Sequence, residues 1–164
     1  MKRWTSALLV GILCFTAASA AAQETASVAV PEGMALLRFM GYGFQIAVPL
    51  DWQVAEITEE ERKKAGVIFI AQNEAGDQQL TVLRREEEKA LTAEQLLEWV
   101  RETDPAAEAA ELNGVQMVCS RGNGDGAFYV SGEWDYEPET LTFRLTGDAQ
   151  ALETMLSVFA WLEE

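Results

Sequence analysis

Residues 113–146 read NGVQMVCSRGNGDGAFYVSGEWDYEPETLTFRLT, and the reading of this stretch decides the fold. Val115, Met117 and Cys119 alternate with Gln116, Val118 and Ser120, the two-residue period of a β-strand. Leu141, Phe143 and Leu145 alternate with Thr142, Arg144 and Thr146 in the same way, and Ala127–Trp134 reads as a strand between them. Asn113-Gly114, Gly122–Gly126 and Tyr136–Thr140 supply the turns, since Gly takes positive φ freely, Asn and Asp tolerate it, and Pro presets a negative φ. Strands joined by such short connections run antiparallel.

Working outward, Asp148 is placed to cap a last helix in which Leu152, Met155, Leu156, Phe159 and Leu162 follow helical spacing, with Trp161 among them. Upstream, Thr92 is an N-cap with Gln95 completing a capping box, and Leu91 and Leu96 form a hydrophobic staple. Leu96, Leu97 and Val100 make the apolar stripe of that helix, Trp99 lies beside it, and Asp104-Pro105 ends it. Ala106–Leu112 is read as a further helical turn or two.

Further towards the N-terminus, Val67–Ala71 and Leu80–Leu83 are strands around the hairpin chemistry of Asn73–Asp77. Glu56–Ala65 is a short solvated helix or loop ended by Gly66. Met34–Met40 is read as a first strand, with a helix as the alternative, and Phe44, Ile46 and Val48 alternate with Gln45 and Ala47 as a half-buried second one, stopped by Pro49. The order is four strands, a helix, three strands and a helix. This predicts an α+β fold: an antiparallel sheet of about six to seven strands flanked by helices.

The first 22 residues differ from the rest. Lys2 and Arg3 form a positive n-region, Ala7–Ala18 is apolar, and Ser19–Ala22 is a run of small residues that allows cleavage after Ala20 or Ala22. Residues 1–22 are therefore read as a signal peptide, residues 23–33 as a flexible tether and residues 34–164 as a single domain. The competing reading is an uncleaved anchor, because Trp4–Ala22 is 19 residues without a charge. Cleavage removes two positive charges, taking the net charge from −15 to −17, and leaves Cys119 as the single cysteine. No intramolecular disulfide is then available, so the fold rests on its core.

Composition closes several functions. The chain has no histidine, which excludes a Ser-His-Asp triad, a Cys-His dyad and a His-ligated zinc site. Its 27 acidic against 12 basic residues argue against nucleic acid, where cations must neutralise phosphates. Around Gly126, an EF-hand loop would need an acid where Arg121 stands. Gly122–Gly126 also lacks the lysine of a P-loop. Carboxylates cluster at Glu59–Glu61, at Glu86–Glu88 and at Asp135, Glu137 and Glu139. Such runs read first as solvated faces, with weak Ca²⁺ attraction as the alternative. Cys119 shares its strand face with Val115 and Met117 and reads as a small buried hydrophobe.

Phe44–Trp52 (FQIAVPLDW), the helix at Thr92–Val100, Leu112-Asn113-Gly114 entering a strand, and Leu141–Leu145 ahead of a C-terminal helix together resemble the PsbP-like superfamily, including its DcrB-type exported bacterial proteins. The resemblance spans most of residues 35–163. It implies a PsbP-like α/β/α sandwich, commonly in exported proteins, with Trp52 as a structural residue. It carries over no catalytic residue.

The expectation is an exported, non-enzymatic domain of the cell envelope or extracellular space (periplasmic in a diderm cell) that binds a protein or glycan partner. A carboxylate-based hydrolase and a weakly Ca²⁺-responsive surface protein are the alternatives. No catalytic, cofactor-binding or metal-ligating residue is assigned, and membrane contact is expected only through an uncleaved leader. Trp134 and Tyr136, adjacent aromatics in an acidic turn, are the candidate partner contacts, with core packing of Trp134 as the competing reading.

Overall fold

The computed structural model describes residues 29–162; the leader, residues 23–28 of the tether and Cys14 lie outside them. Three turns built on positive φ organise the sheet. Asn113-Gly114, Asn123-Gly124 and Asp135-Tyr136 each have positive φ at both positions and join strands paired directly across them. That backbone hand matches the twist of the flanking strands, so each turn closes a hairpin without splaying it.

The strands are β1 (Met34–Phe39), β2 (Phe44–Pro49), β3 (Gln53–Val54), β4 (Val67–Gln72), β5 (Gln79–Glu86), β6 (Glu108–Leu112), β7 (Val115–Gly122), β8 (Asp125–Trp134), β9 (Glu137–Thr146) and β10 (Ala160–Trp161). The helices are α1 (Glu59–Ala65), α2 (Ala93–Arg101) and α3 (Ala149–Leu156). Seven strands form one antiparallel sheet in the order β3-β4-β5-β9-β8-β7-β6, and β1-β2-β10 form a second, smaller one. The α+β class and antiparallel pairing follow the sequence reading. No helix among the described residues is long and apolar enough to cross a membrane.

The main core lies between one face of the large sheet and a layer made by the small sheet and α3. Val82, Met117, Phe128 and Phe143 meet Phe44 and Ile46 of β2 and Leu152, Met155 and Leu156 of α3 there. Phe44 contacts both Phe143 and Phe159, at centroid distances of 5.7 and 6.2 Å. On the opposite face, α2 packs Leu96 and Val100 against Val118, with Leu91 and Tyr129 beside them. The capping box of Thr92 and Gln95 forms as expected.

Four expectations are corrected. Ala106–Leu112 is not helical; residues 108–112 form β6, because the Asn113-Gly114 turn folds them back on β7 in register from Glu108↔Cys119 to Leu112↔Val115. Pairing overrides the alanine-rich helix preference. Tyr136–Thr140 is not all turn: β9 begins at Glu137, and Pro138 is tolerated because its carbonyl, not a missing N–H, is used, accepting from Glu87 N–H. The last helix ends at Leu156, and Trp161 lies in β10, paired with Phe44. Finally, β2 is buried on both faces and belongs to the small sheet; Gln45 is covered, and its Nε2 donates to Val158 O at 3.1 Å. Within the stretch read as a tether, the carbonyls of Pro31 and Gly33 accept hydrogen bonds from Met34 and Leu50 N–H.

Candidate functional site

Two hairpin tips meet at one end of the sheet. Trp134 leaves β8 and lays its ring on Gly43, in the β1–β2 turn, so closely that a Cβ there would fall inside the ring. Gly43 has φ +64, so glycine is needed on both counts. Trp134 is thus half-buried, its inner face used for packing. Tyr136, at the second turn position, is 85% exposed and carries φ +63, a conformation that Cβ-bearing residues avoid. Met40, on the neighbouring tip, is 67% exposed. The tips therefore present Met40 and Tyr136 outward, backed by Tyr42 and Trp134.

Beneath the tips lies an ionic cluster. In an antiparallel pair opposed residues share a face, so Arg84 (opposite Leu141) and Glu139 (opposite Glu86) both point towards the main core. Arg84 donates through Nε to Glu139 Oε2, through Nη2 to Glu137 Oε2 at 2.9 Å and through Nη1 to Glu86 Oε1 at 3.3 Å. Its guanidinium also stands 5.8 Å from the Tyr42 ring centre. Glu139 has no exposed surface, and its Oε1 has no hydrogen-bond partner among the described residues. Burial pushes the Glu139 carboxyl above the ordinary glutamate range, against the pull of Arg84. Burial works against the Arg84 charge too, but hydrogen bonds to Glu139 and Glu137 outweigh it and leave its pKa raised.

A groove of about 620 Å³ wraps the end of β5. Its floor includes Ile68, Leu83 and Thr142, and α1 forms one wall with Arg62, Lys63 and Lys64. Arg85 and Trp99 line the opposite side, the guanidinium 3.8 Å above the ring. Arg85 also donates to Glu87 Oε1, which accepts from Thr140 Oγ1 at 2.9 Å. A smaller depression of about 310 Å³, containing Tyr129 and Arg144, adjoins it, since Thr142 of the first is the cross-strand partner of Tyr129 in the second.

The other carboxylate clusters are absorbed by structure. Glu61 closes the capping box of α1 with Thr58, whose hydroxyl and N–H hydrogen bonds hold its pKa below the ordinary value. Glu137 and Glu139 serve Arg84, while Asp135 stays in the turn. Asp125 Oδ1 accepts from Gly147 N–H at 2.9 Å. Among the described residues, no group of three or more His, Cys, Asp or Glu side chains is arranged to hold a metal ion. Cys119 is buried in the main core.

Sequence reasoning singled out Trp134 and Tyr136, and the structure puts both at the tips. It missed Arg84, Glu139, Tyr42 and the basic wall of α1. One signal was present: Arg62-Lys63-Lys64 and Arg84-Arg85 are the only adjacent cations after the leader, in a strongly acidic chain.

No family model and no curated protein sequence matches the chain. Among solved structures it is similar to the solution structure of cyanobacterial PsbP (CyanoP) from Synechocystis sp. PCC 6803, with a TM-score of 0.54 and 16% identity over 79% of this chain and 92% of that one. It is also similar to a crystal structure from Bacteroides thetaiotaomicron VPI-5482, with a TM-score of 0.50 and 14% identity over 74% of this chain. The chain spans 46% of that protein's length. At these identities the likeness concerns the fold alone, and the fold of this chain is PsbP-like.

Proposed function

We propose that this protein is an exported, non-enzymatic binding or accessory module of the cell envelope or extracellular space, and that it meets a protein or glycan partner through the β8–β9 hairpin tip. Export rests on the leader, with Lys2 and Arg3 ahead of an apolar run and small residues before Gln23. The observation that carries the contact is Tyr136, a large aromatic left 85% exposed at a turn position where its backbone is strained. A Gly or Asn there relieves the strain, so the aromatic costs backbone strain while staying largely unburied among the described residues. Exposed Met40 on the neighbouring tip and half-buried Trp134 add apolar surface at this end of the sheet, and the ten-residue strands β8 and β9 carry the turn.

Hydrolysis by paired carboxylates is disfavoured by the site itself. Such a pair must face one cleft, and the groove is lined by a single acid, Glu86. Glu139 is buried and bound to Arg84.

The test compares residues 23–164 with a Met40→Ser/Tyr136→Ser variant as bait against the producing cell's envelope fraction. The reading expects a partner captured by the unmodified bait and lost with the variant, at equal melting temperature. Equal capture by both, or no enriched protein or glycan, overturns it.

A further inference from the structure

The groove beside β5 concentrates positive charge in an acidic chain. Ten of the twelve Lys and Arg residues follow the leader, and five of them line this one groove, with Glu86 as its only acid. We infer that the groove is a docking site for an extended acidic peptide segment of a partner protein.

The availability of the cations differs. Arg84 is committed to Glu139, and Arg85 is fixed between Trp99 and Glu87. The α1 wall is not committed. Lys63 and Lys64 pair with Glu59 and Glu60 one turn back, with side chains 72–80% exposed. Exposed pairs one helical turn apart are weak, so a ligand carboxylate exchanges with them readily. Arg62 makes no salt bridge among the described residues.

Shape selects the occupant. The α1 wall buries none of its own side chains, so its cations reach solvent along the whole side of the groove and are open to an extended ligand. Past the Trp99–Tyr129 contact lies the second depression, lined by both Arg144 and Asp125, and the first groove alone carries the excess of cations. Ile68, Leu83 and Thr142 give that chain an apolar floor between charged walls. The remaining five cations after the leader, Arg38, Lys89, Arg101, Arg121 and Arg144, do not line this groove, whereas five line it together, so charge complementarity to an acidic peptide is greatest here.

The test is fluorescence anisotropy of a labelled oligoglutamate peptide on residues 23–164, with oligoglutamine, inorganic phosphate and dextran sulfate as the other arms. Oligoglutamate is expected to bind at low salt and weaken as salt rises, oligoglutamine to stay free, and Arg62→Glu/Lys64→Glu to weaken binding about tenfold or more. Because α1 buries no side chain, the variant keeps its fold, which circular dichroism checks. Equal binding by variant and parent, no binding at low salt, or binding of phosphate or dextran sulfate without oligoglutamate each overturns the proposal. Tyr136 is untouched in these variants, so failure here is separate from failure of the hairpin-tip reading.

Discussion

Arg84 on β5 donates through its Nε to Glu139 on β9, a carboxylate with no exposed surface whose second oxygen has no partner among the described residues. This contact ties the end of the large sheet to the β1–β2 turn through Tyr42. The two members are not equivalent: removing Arg84 strands a buried charge, whereas neutralising Glu139 leaves Arg84 with Glu137 and Glu86.

Arg84→Met is therefore expected to destabilise the fold by about 3 kcal/mol, and Glu139→Gln by much less. The double variant should recover most of the loss. Urea unfolding of the four proteins measures the coupling, and additive single effects would contradict it.

The pH dependence follows from the same carboxyl. Its pKa is raised on folding, so the native state holds the proton more tightly than the unfolded state. Stability from this group is greatest at low pH and falls as pH rises from the ordinary glutamate value through the raised one. Glu61 has the opposite sign, its contribution being present above the ordinary value and lost on acidification. Melting temperatures between about pH 4 and pH 8 should show a shallower decline with rising pH in Glu139→Gln.

Gly43 and Gly124 both have positive φ, +64 and +87, but only Gly43 lies under a side chain. Gly124→Ala is expected to cost about 1 kcal/mol, the backbone penalty alone. Gly43→Ala should cost about 2 kcal/mol or more, because Trp134 must also move. A shift in tryptophan emission confined to Gly43→Ala would identify that movement.

Tyr136→Gly should stabilise the protein by about 1 kcal/mol, by relieving φ +63 in a two-residue turn. Partner capture should fall at the same time. Thermal melts and the bait comparison read the two effects, and a destabilised variant would show that the tyrosine is structural.

Cys119 is buried between Phe128 and Glu108 as cross-strand neighbours. Its thiol should react with an aromatic disulfide reagent only on unfolding, and prompt reaction under native conditions would contradict its placement in the core.

Much of the fold was legible because its signals are local. The box of Thr92 and Gln95, the Asn113-Gly114 turn and the alternation at Leu141–Leu145 each act over a few residues, and each reappears in the structure. Ala106–Leu112 and Trp161 were misread because their state is set by remote partners, β7 in one case and β2 in the other. The candidate site was half legible. Trp134 and Tyr136 stand out as neighbours in sequence, but Tyr42, Arg84 and Glu139 are dozens of residues apart and meet only across strands.

The sequence by itself determined the α+β class, the Asn113-Gly114 hairpin turn and the mechanisms that a chain without histidine lacks, because these depend on residue type and short spacing. Tertiary structure decided the division into two sheets, the burial of Glu139 against Arg84 and the gathering of five cations into one groove. Those depend on which strands become neighbours, and strand order is chosen by burying the faces of the whole sheet together, a condition that no short stretch of the chain contains.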